Sequence, residues 1–307
     1  MRQSIRGYTD GVIQLAAPTG ESSLGTLASE LAAVNGVIGG SDDLRRALAD
    51  PGVALEARRG VVTDLFSQHV GATTMRLLSF VLGAARASET PADVAWLAAR
   101  LDAAKRGEAP IADIVLGVSG AEERVDGYAS AILETVQGEK AIGDLEDELF
   151  RFSRVVAGSE QLGAALSSRD YSKEARRAIV SDLLKDKVSP AALALATYAT
   201  QVGRPRDFEA LLTTLVDRVA AESNRRLAEV RSAVELDDNQ RRQLAAALGR
   251  AVGRDVDVRV TVDPSVVAGF VATIGDLVVD ASARRQLELL KERLIMPEAN
   301  ITTGERH

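Results

Sequence analysis

Side chains suited to proton transfer are scarce in this sequence. Its 307 residues include two histidines, His69 and His307, and no cysteine. Neither histidine has neighbours at the spacing of a metal site or of a nucleophile–base–acid triad, so we expect solvated surface imidazoles. The lack of cysteine excludes disulfides, thiolate catalysis and cysteine-ligated metals, and fits a reducing compartment. We therefore assign no catalytic residue and no metal ligand.

One cluster of carboxylates, Glu146, Asp147 and Glu148, could suggest acid–base chemistry. Consecutive positions on a helix point in different directions, so the three groups would not converge on one substrate. We interpret them as a solvated acidic face. No GxGxxG follows a predicted strand and no GxxxxGK[ST] occurs, so no phosphate-binding loop and no cofactor are predicted.

Arginine pairs recur along the chain and raise the question of nucleic-acid binding. The net charge is −7, and one Trp, four Tyr and six Phe provide few stacking surfaces. We expect exposed helix faces and no nucleic-acid contact for these pairs, which are Arg58-Arg59, Arg176-Arg177, Arg225-Arg226, Arg241-Arg242 and Arg284-Arg285.

The chain contains an internal duplication. Residues 24–65 align without a gap to residues 142–183, and 17 of the 42 pairs are identical. The dipeptide Gly7-Tyr8 is also repeated, as Gly127-Tyr128. The duplication therefore predicts two copies of one structural unit.

Apolar residues in both copies recur at steps of three and four, which is typical of one helix face. Since a single such helix gains little stability alone, several must pack together. The sequence predicts a mainly α protein with a first helical bundle in residues 1–120 and a second in 121–226. The faces are Leu24, Leu27, Leu31, Val34 and Ile38 in copy one, and Ile142, Leu145, Leu149, Phe152 and Val156 in copy two.

After residue 226 the apolar period changes to two, which indicates strands at 228–234 and 256–262. Between them, Asp237 and Gln240 have the spacing of a capping box at the start of a helix. Gly275-Asp276 separates two short β-rich runs and predicts a hairpin. A last helix is expected from about Ser282. Residues 227–307 thus read as a small α/β domain with a polar tail.

This order of elements resembles the delta subunit family of F-type ATP synthases, known in mitochondria as the oligomycin-sensitivity-conferring protein. The most specific similarity lies in residues 260–287, where the family pattern falls on Asp263, Pro264, Gly269, Gly275, Asp280, Ser282, Arg285 and Leu287. Ala268 and Ala281 stand where the family has glycines. The additional bundle is similar to the delta portion of the mycobacterial b–delta fusion.

The resemblance implies a non-catalytic stator subunit that links the catalytic head to the b stalk. Its implied partners are the ATP synthase α subunits and the b subunit, with one copy of the chain per complex. The resemblance also implies a place at the cytoplasmic face of the cell membrane, held there by the complex and without membrane insertion. The longest apolar stretch, residues 266–274, is shorter than a membrane span, and no signal peptide is visible.

In this family the N-terminal bundle grips amphipathic helices of α subunits. For this chain the resemblance places that groove in the second copy, and the alternative is that each of its residues belongs to the bundle core. Two other functions stay open at this point: a free-standing RNA-binding or adaptor module, and an enzyme with an unrecognised site. The candidate groove residues are Tyr128, Ile132, Val136, Leu193, Ala196 and Tyr198.

Overall fold

The computed structural model describes residues 2–16, 21–108, 116–136, 138–252, 256–266, 268–274 and 277–282. Within these ranges the chain is mainly α-helical, as predicted. The first repeat consists of α1 Gln3–Ala16, α2 Glu21–Gly40, α3 Asp42–Ala49, α4 Leu55–Phe66, α5 Ala72–Ala84 and α6 Thr90–Lys105. The second consists of α7 Val118–Leu133, α8 Glu139–Gly158, α9 Glu160–Ser167, α10 Lys173–Leu184, α11 Pro190–Ala199 and α12 Phe208–Arg226.

The predicted apolar faces of α2 and α8 form core in both repeats. On α2, Leu24 is partly buried and the other four predicted residues are buried, whereas all five on α8 are buried. The two repeats also share a serine that caps their third helix. Ser41 and Ser159 accept hydrogen bonds from the amides of Leu44 and Leu162, at 3.2 and 3.3 Å, and so cap α3 and α9 in the same way.

In each repeat a half-buried glutamate of the second helix bonds to the start of the fifth helix. These helices are α2 and α5 in the first repeat, and α8 and α11 in the second. Glu30 accepts hydrogen bonds from the Gly71 amide at 3.1 Å and the Thr74 hydroxyl at 2.5 Å. Its counterpart Glu148 accepts from the amide and hydroxyl of Ser189, at 3.0 and 2.6 Å. The expectation that Glu148 belongs to a solvated acidic face is therefore wrong, because a helix N-terminus is where a carboxylate is best stabilised.

The first arginine of two predicted surface pairs is buried, which corrects that prediction. Arg176 donates to the carbonyls of Ser168 and Tyr171, at 3.3 and 2.6 Å, and Arg58 donates to the Val53 carbonyl at 3.3 Å. Each guanidinium thereby holds the loop that precedes its own helix.

The two repeats meet where α1 packs against α7, which is the most extensive helix–helix contact in the described chain. A Cβ on Gly7 would overlap the Arg124 carbonyl, and a Cβ on Gly127 would overlap the Ser4 carbonyl. Ser4 and Gly7 precede Arg124 and Gly127 by the same 120 positions, so the contact is reciprocal. Glycine is required at both positions because the two backbones touch.

The chain divides into two compact units. One comprises Met1–Val136 and Asp144–Val219, and the other comprises Gln137–Gly143 and Ala220–His307. Helices of both repeats therefore lie in one unit. The boundary between bundles at residues 120 and 121 stays a prediction; α7, which the sequence assigns mainly to the second bundle, begins at Val118.

The second unit carries a four-stranded sheet of order β2-β1-β3-β4, formed by β1 Leu227–Ser232, β2 Asp257–Val262, β3 Phe270–Ile274 and β4 Leu277–Asp280. β1 pairs with β2 in parallel and with β3 in antiparallel orientation. The connecting helix α13, Asp238–Val252, packs Leu248 into a core with Ala228, Val230, Ala272 and Ile274.

Most of the predicted local features of this unit are confirmed. Asp237 and Gln240 form the reciprocal capping box, at 2.8 and 3.0 Å. β3 and β4 pair as a hairpin with Ile274 opposite Leu277. β1 ends at Ser232, earlier than predicted, and leaves Val234 exposed. The predicted last helix, the turn at Gly275-Asp276 and the residues after Ser282 lie outside the described residues.

The glycine contact between α1 and α7 makes a direct prediction. Gly127→Ala should lower the free energy of unfolding by about 2 kcal/mol or more, because the added methyl group would overlap the Ser4 carbonyl and force the helices apart. Gly36→Ala is the matched control, since a Cβ there meets nothing within 4 Å and alanine favours the helix by about 0.5–1 kcal/mol. Urea unfolding followed by circular dichroism measures both, and equal stability of the two variants would contradict the proposed role of Gly127.

Candidate partner-binding site

The six predicted groove residues form what we call the α7–α11 face. Tyr128 and Ile132 on α7 and Ala196 on α11 are buried. Leu193 and Tyr198 on α11 are half-buried. Val136, also half-buried, lies beyond the end of α7 at Leu133, so the helix does not carry it as the spacing suggested.

Two aromatic residues of this face are in direct contact. The rings of Tyr128 and Tyr198 stack with their centroids 3.7 Å apart and an interplanar angle of 5°. The first repeat has an equivalent stack of Tyr8 and Phe80, at 4.0 Å and 13°. The structure thus joins the α7 and α11 halves of the predicted groove through a contact that both repeats share.

Helix α1 of the first repeat lies against the α7–α11 face. A Cβ on Gly11 would stand 2.7 Å from the Ala131 Cβ and 3.2 Å from the Tyr128 carbonyl oxygen. The contacts advance in the same order along both helices, from Gly7 with Arg124 to Gly11 with Ala131. The two helices therefore run side by side in the same direction.

A charged cluster around Asp10 ties α1 to three other helices. The Tyr198 hydroxyl on α11 donates to Asp10 Oδ2 at 2.7 Å, and Arg124 Nη2 on α7 lies 2.8 Å from the same oxygen. Arg100 on α6 lies 3.6 Å from Asp10 Oδ1. The three charged side chains are largely buried, so removal of Asp10 would leave buried cations without this counter-charge.

A second polar group lies at the other end of the contact. The Tyr8 hydroxyl donates to Glu134 Oε1 at 2.8 Å, and Arg76 Nε lies 3.7 Å from Glu134 Oε2. These side chains help to line a cavity of about 550 Å³ between α1, α2, α5 and α7. The contact between the repeats therefore has small residues in its middle and ion pairs at both ends, and we call this whole contact the repeat interface.

Burial raises the pKa of three tyrosines in and beside the repeat interface. Burial has the largest effect on the pKa of Tyr8, and the charge of Glu134 raises it further. Burial likewise raises the pKa of Tyr128 and of Tyr198, and in both cases the negative charge of Asp10 adds to the effect. Each phenol is therefore held in its neutral form.

Sequence reasoning misses Asp10 and Glu134. Asp10 is a lone carboxylate on an amphipathic helix, and its counterpart in the second repeat is Ser130, so the duplication does not single it out. The sequence signal for the contact between α1 and α7 is the repeated glycine, because Gly7 and Gly127 are both followed by a tyrosine.

A second set of equivalent residues lies on other helices of the repeats. Val37 and Leu65 are 50% and 44% exposed, and their counterparts Val155 and Leu183 are 55% and 38% exposed. Val37 and Leu65 border a groove of about 480 Å³ beside α2 and α4. We call these four residues the outer pairs.

The described family-motif residues build the turns of the second unit. Asp263 Oδ1 accepts from the Ser265 amide at 2.9 Å beside the exposed Pro264, and Asp280 Oδ1 accepts from the Ser282 amide at 2.9 Å. Gly269 has a φ of +83°, and a Cβ there would overlap the Ala281 carbonyl. Gly275, Arg285 and Leu287 lie outside the described residues.

Other features bear on binding. His69 is exposed on the surface. Among the described residues, no three histidines or carboxylates are grouped so as to hold a metal ion. Within the same ranges, no helix combines the length and the apolar character needed to cross a membrane.

Comparisons with known proteins give a consistent result. A family model of the ATP synthase delta (OSCP) subunit matches residues 5–111 and 125–294. The chain is 34% identical to ATP synthase subunit delta of Streptomyces avermitilis over 268 residues, which are 87% of this chain and 88% of that protein. It is 34% identical to the subunit of the same name from Nocardia farcinica over 293 residues, 95% of both chains.

One solved structure shows a weaker similarity. A chain of the Toxoplasma gondii mitochondrial ATP synthase hexamer is 17% identical, with 57% of this chain and 98% of that chain covered. The TM-score of 0.29 is too low to support an argument from this similarity.

The raised tyrosine pKa values predict a loss of stability in alkali. Since the pKa of each folded-state phenol lies above its ordinary value near 10, the stabilisation is complete below about pH 10 and is lost as the pH rises further. Each tyrosine should contribute a slope of about 1.4 kcal/mol per pH unit. Tyrosinate absorbance, recorded alongside circular dichroism, should show these phenols ionising only as the helices unfold. Ionisation of all tyrosines near pH 10 in the folded chain would contradict their burial.

Proposed function

This chain belongs to the ATP synthase delta (OSCP) subunit family, and we propose on that premise that its role in the complex is mechanical. It is a peripheral-stalk subunit of the F-type ATP synthase, with the α subunits and the b stalk as its partners. We propose that it catalyses no reaction itself and transmits force between the catalytic head and the stalk. The family match over both repeats and the sheet is the observation that carries this proposal.

The way the first unit is built supports a mechanical role. A stator must resist torque without letting its parts slide. Glu30 and Glu148 fix the fifth helix within each repeat. These carboxylates thus hold helices in place within the chain.

We propose that the second repeat receives an amphipathic helix from the N-terminus of an α subunit at the α7–α11 face. The residues proposed for this contact are those predicted from the sequence, Tyr128, Ile132, Val136, Leu193, Ala196 and Tyr198. Tyr198 combines an apolar ring with a hydroxyl, which is hydrogen-bonded to Asp10 in this structure, and such residues are suited to helix recognition. We further propose one copy of the chain per complex, at the cytoplasmic face of the cell membrane and attached through its partners.

The function is tested with inverted membrane vesicles whose ATP synthase lacks this chain. We expect such vesicles to show little ATP-driven proton pumping, because torque on an unanchored head is lost as rotation of the head itself. Addition of the purified chain should restore pumping. Full pumping without the chain would refute the mechanical role, and a tight, steeply salt-dependent complex with RNA would instead favour the alternative of an RNA-binding module.

The site of the α-subunit helix is tested by two leucine variants. Leu193→Asp should weaken binding of a synthetic peptide from the α-subunit N-terminus to the full chain by about tenfold or more, because a carboxylate would replace an apolar anchor. Leu183→Asp, which changes an outer pair, is the matched control and should bind like the unmodified chain. Isothermal titration measures both. The opposite ranking of the two variants would move the peptide site to the outer pairs.

A further inference from the structure

Two of the residues proposed to receive a partner helix already contact α1 within the chain. Tyr128, at the centre of the α7–α11 face, contacts the backbone of α1 through Gly7 and Gly11. Tyr198 at its edge is hydrogen-bonded to Asp10. A helix from another protein cannot occupy this position while α1 is there, because two helices in contact keep their axes about 8–10 Å apart.

The repeat interface contains charged groups as well as apolar ones. The apolar side chains of α1, which include Ile5, Tyr8 and Val12, belong to the core of the first repeat. The side of α1 that meets α7 carries Gly7 and Gly11, and Asp10 lies between them in the sequence and pairs with Arg124 of α7. Separation of the repeats would return this ion pair to water, and it would also expose Ala131 of α7, which packs in the core of the first repeat.

From this geometry we infer that the first repeat is an intramolecular competitor for the partner helix. In the closed chain α1 covers the α7–α11 face, and the α-subunit helix binds there only when the repeat interface opens. The inference rests on the proposed function, since it concerns the same face. The apparent affinity for the partner helix then equals the intrinsic affinity multiplied by the fraction of open chains.

A reversible covalent lock tests this competition. Because the chain has no cysteine, the double variant Gly11→Cys, Ala131→Cys can form only the disulfide between α1 and α7. The two Cβ positions are 2.7 Å apart, and a disulfide requires about 3.8 Å, so the helices need to part by about 1 Å. The reduced form of the same protein controls for the substitutions themselves.

We expect the oxidised variant to bind the α-subunit N-terminal peptide at least about tenfold more weakly than the reduced variant. Addition of a reductant should restore the affinity. Equal binding by the oxidised and reduced forms would overturn the competition and leave the proposed stator function standing. In that case the leucine variants would locate the peptide.

A second variant tests the inference without a disulfide. Asp10→Asn removes the counter-charge of Arg124 and Arg100, so it should raise the open fraction and tighten peptide binding by about tenfold. Glu30→Gln is the matched control, because it loses a carboxylate contact within the first repeat and leaves the Asp10 cluster intact. Weaker or unchanged binding by Asp10→Asn would contradict the inference.

The two sets of variants separate failure of the inference from failure of the proposed site. If the unmodified chain, the reduced double variant and Asp10→Asn all failed to bind the peptide, the α-subunit contact at the α7–α11 face would be wrong, and the competition with it. If Asp10→Asn bound and the unmodified chain did not, the competition would be supported directly.

Discussion

The close approach of α1 and α7 is the constraint on which the arrangement of the first unit depends. At Gly7 and Gly127 each backbone occupies the space that a side chain on the other would need, so only glycine at both positions allows this approach. This position stacks Tyr128 on Tyr198 and brings Asp10 within reach of Arg124 and Tyr198. The polar contacts reinforce a geometry that the glycines permit.

Much of the local structure could be predicted from the sequence, because local structure follows from local patterns. The repeat, the apolar faces of α2 and α8, the capping box at Asp237 and the change to strands after residue 226 all have periods or short motifs as signals. Periodicity shows that a helix has a buried face. It does not show which helix covers that face, and so the predicted groove proved to be covered by α1.

Three of the errors concern charged residues. For Arg58, Arg176 and Glu148 the sequence predicts solvated side chains, as most isolated charges are. Each instead satisfies backbone groups at a helix end or a loop, and this role depends on the position of a neighbouring segment. The duplication does not provide the signal either: Glu30 with Glu148 and Arg58 with Arg176 are identical pairs, but so are the exposed Glu56 and Glu174.

In the repeat interface the two repeats contribute equivalent glycines but different charged residues. In a dimer of two identical chains, a carboxylate placed near the symmetry axis appears twice, and so does every cation that could pair with it. Because both halves here are encoded in a single chain, position 10 can be aspartate while its counterpart 130 is serine, and position 124 can be arginine while its counterpart 4 is serine. A single chain thus frees the two halves from the requirement of identical surfaces, and each half can supply different side chains to the contact.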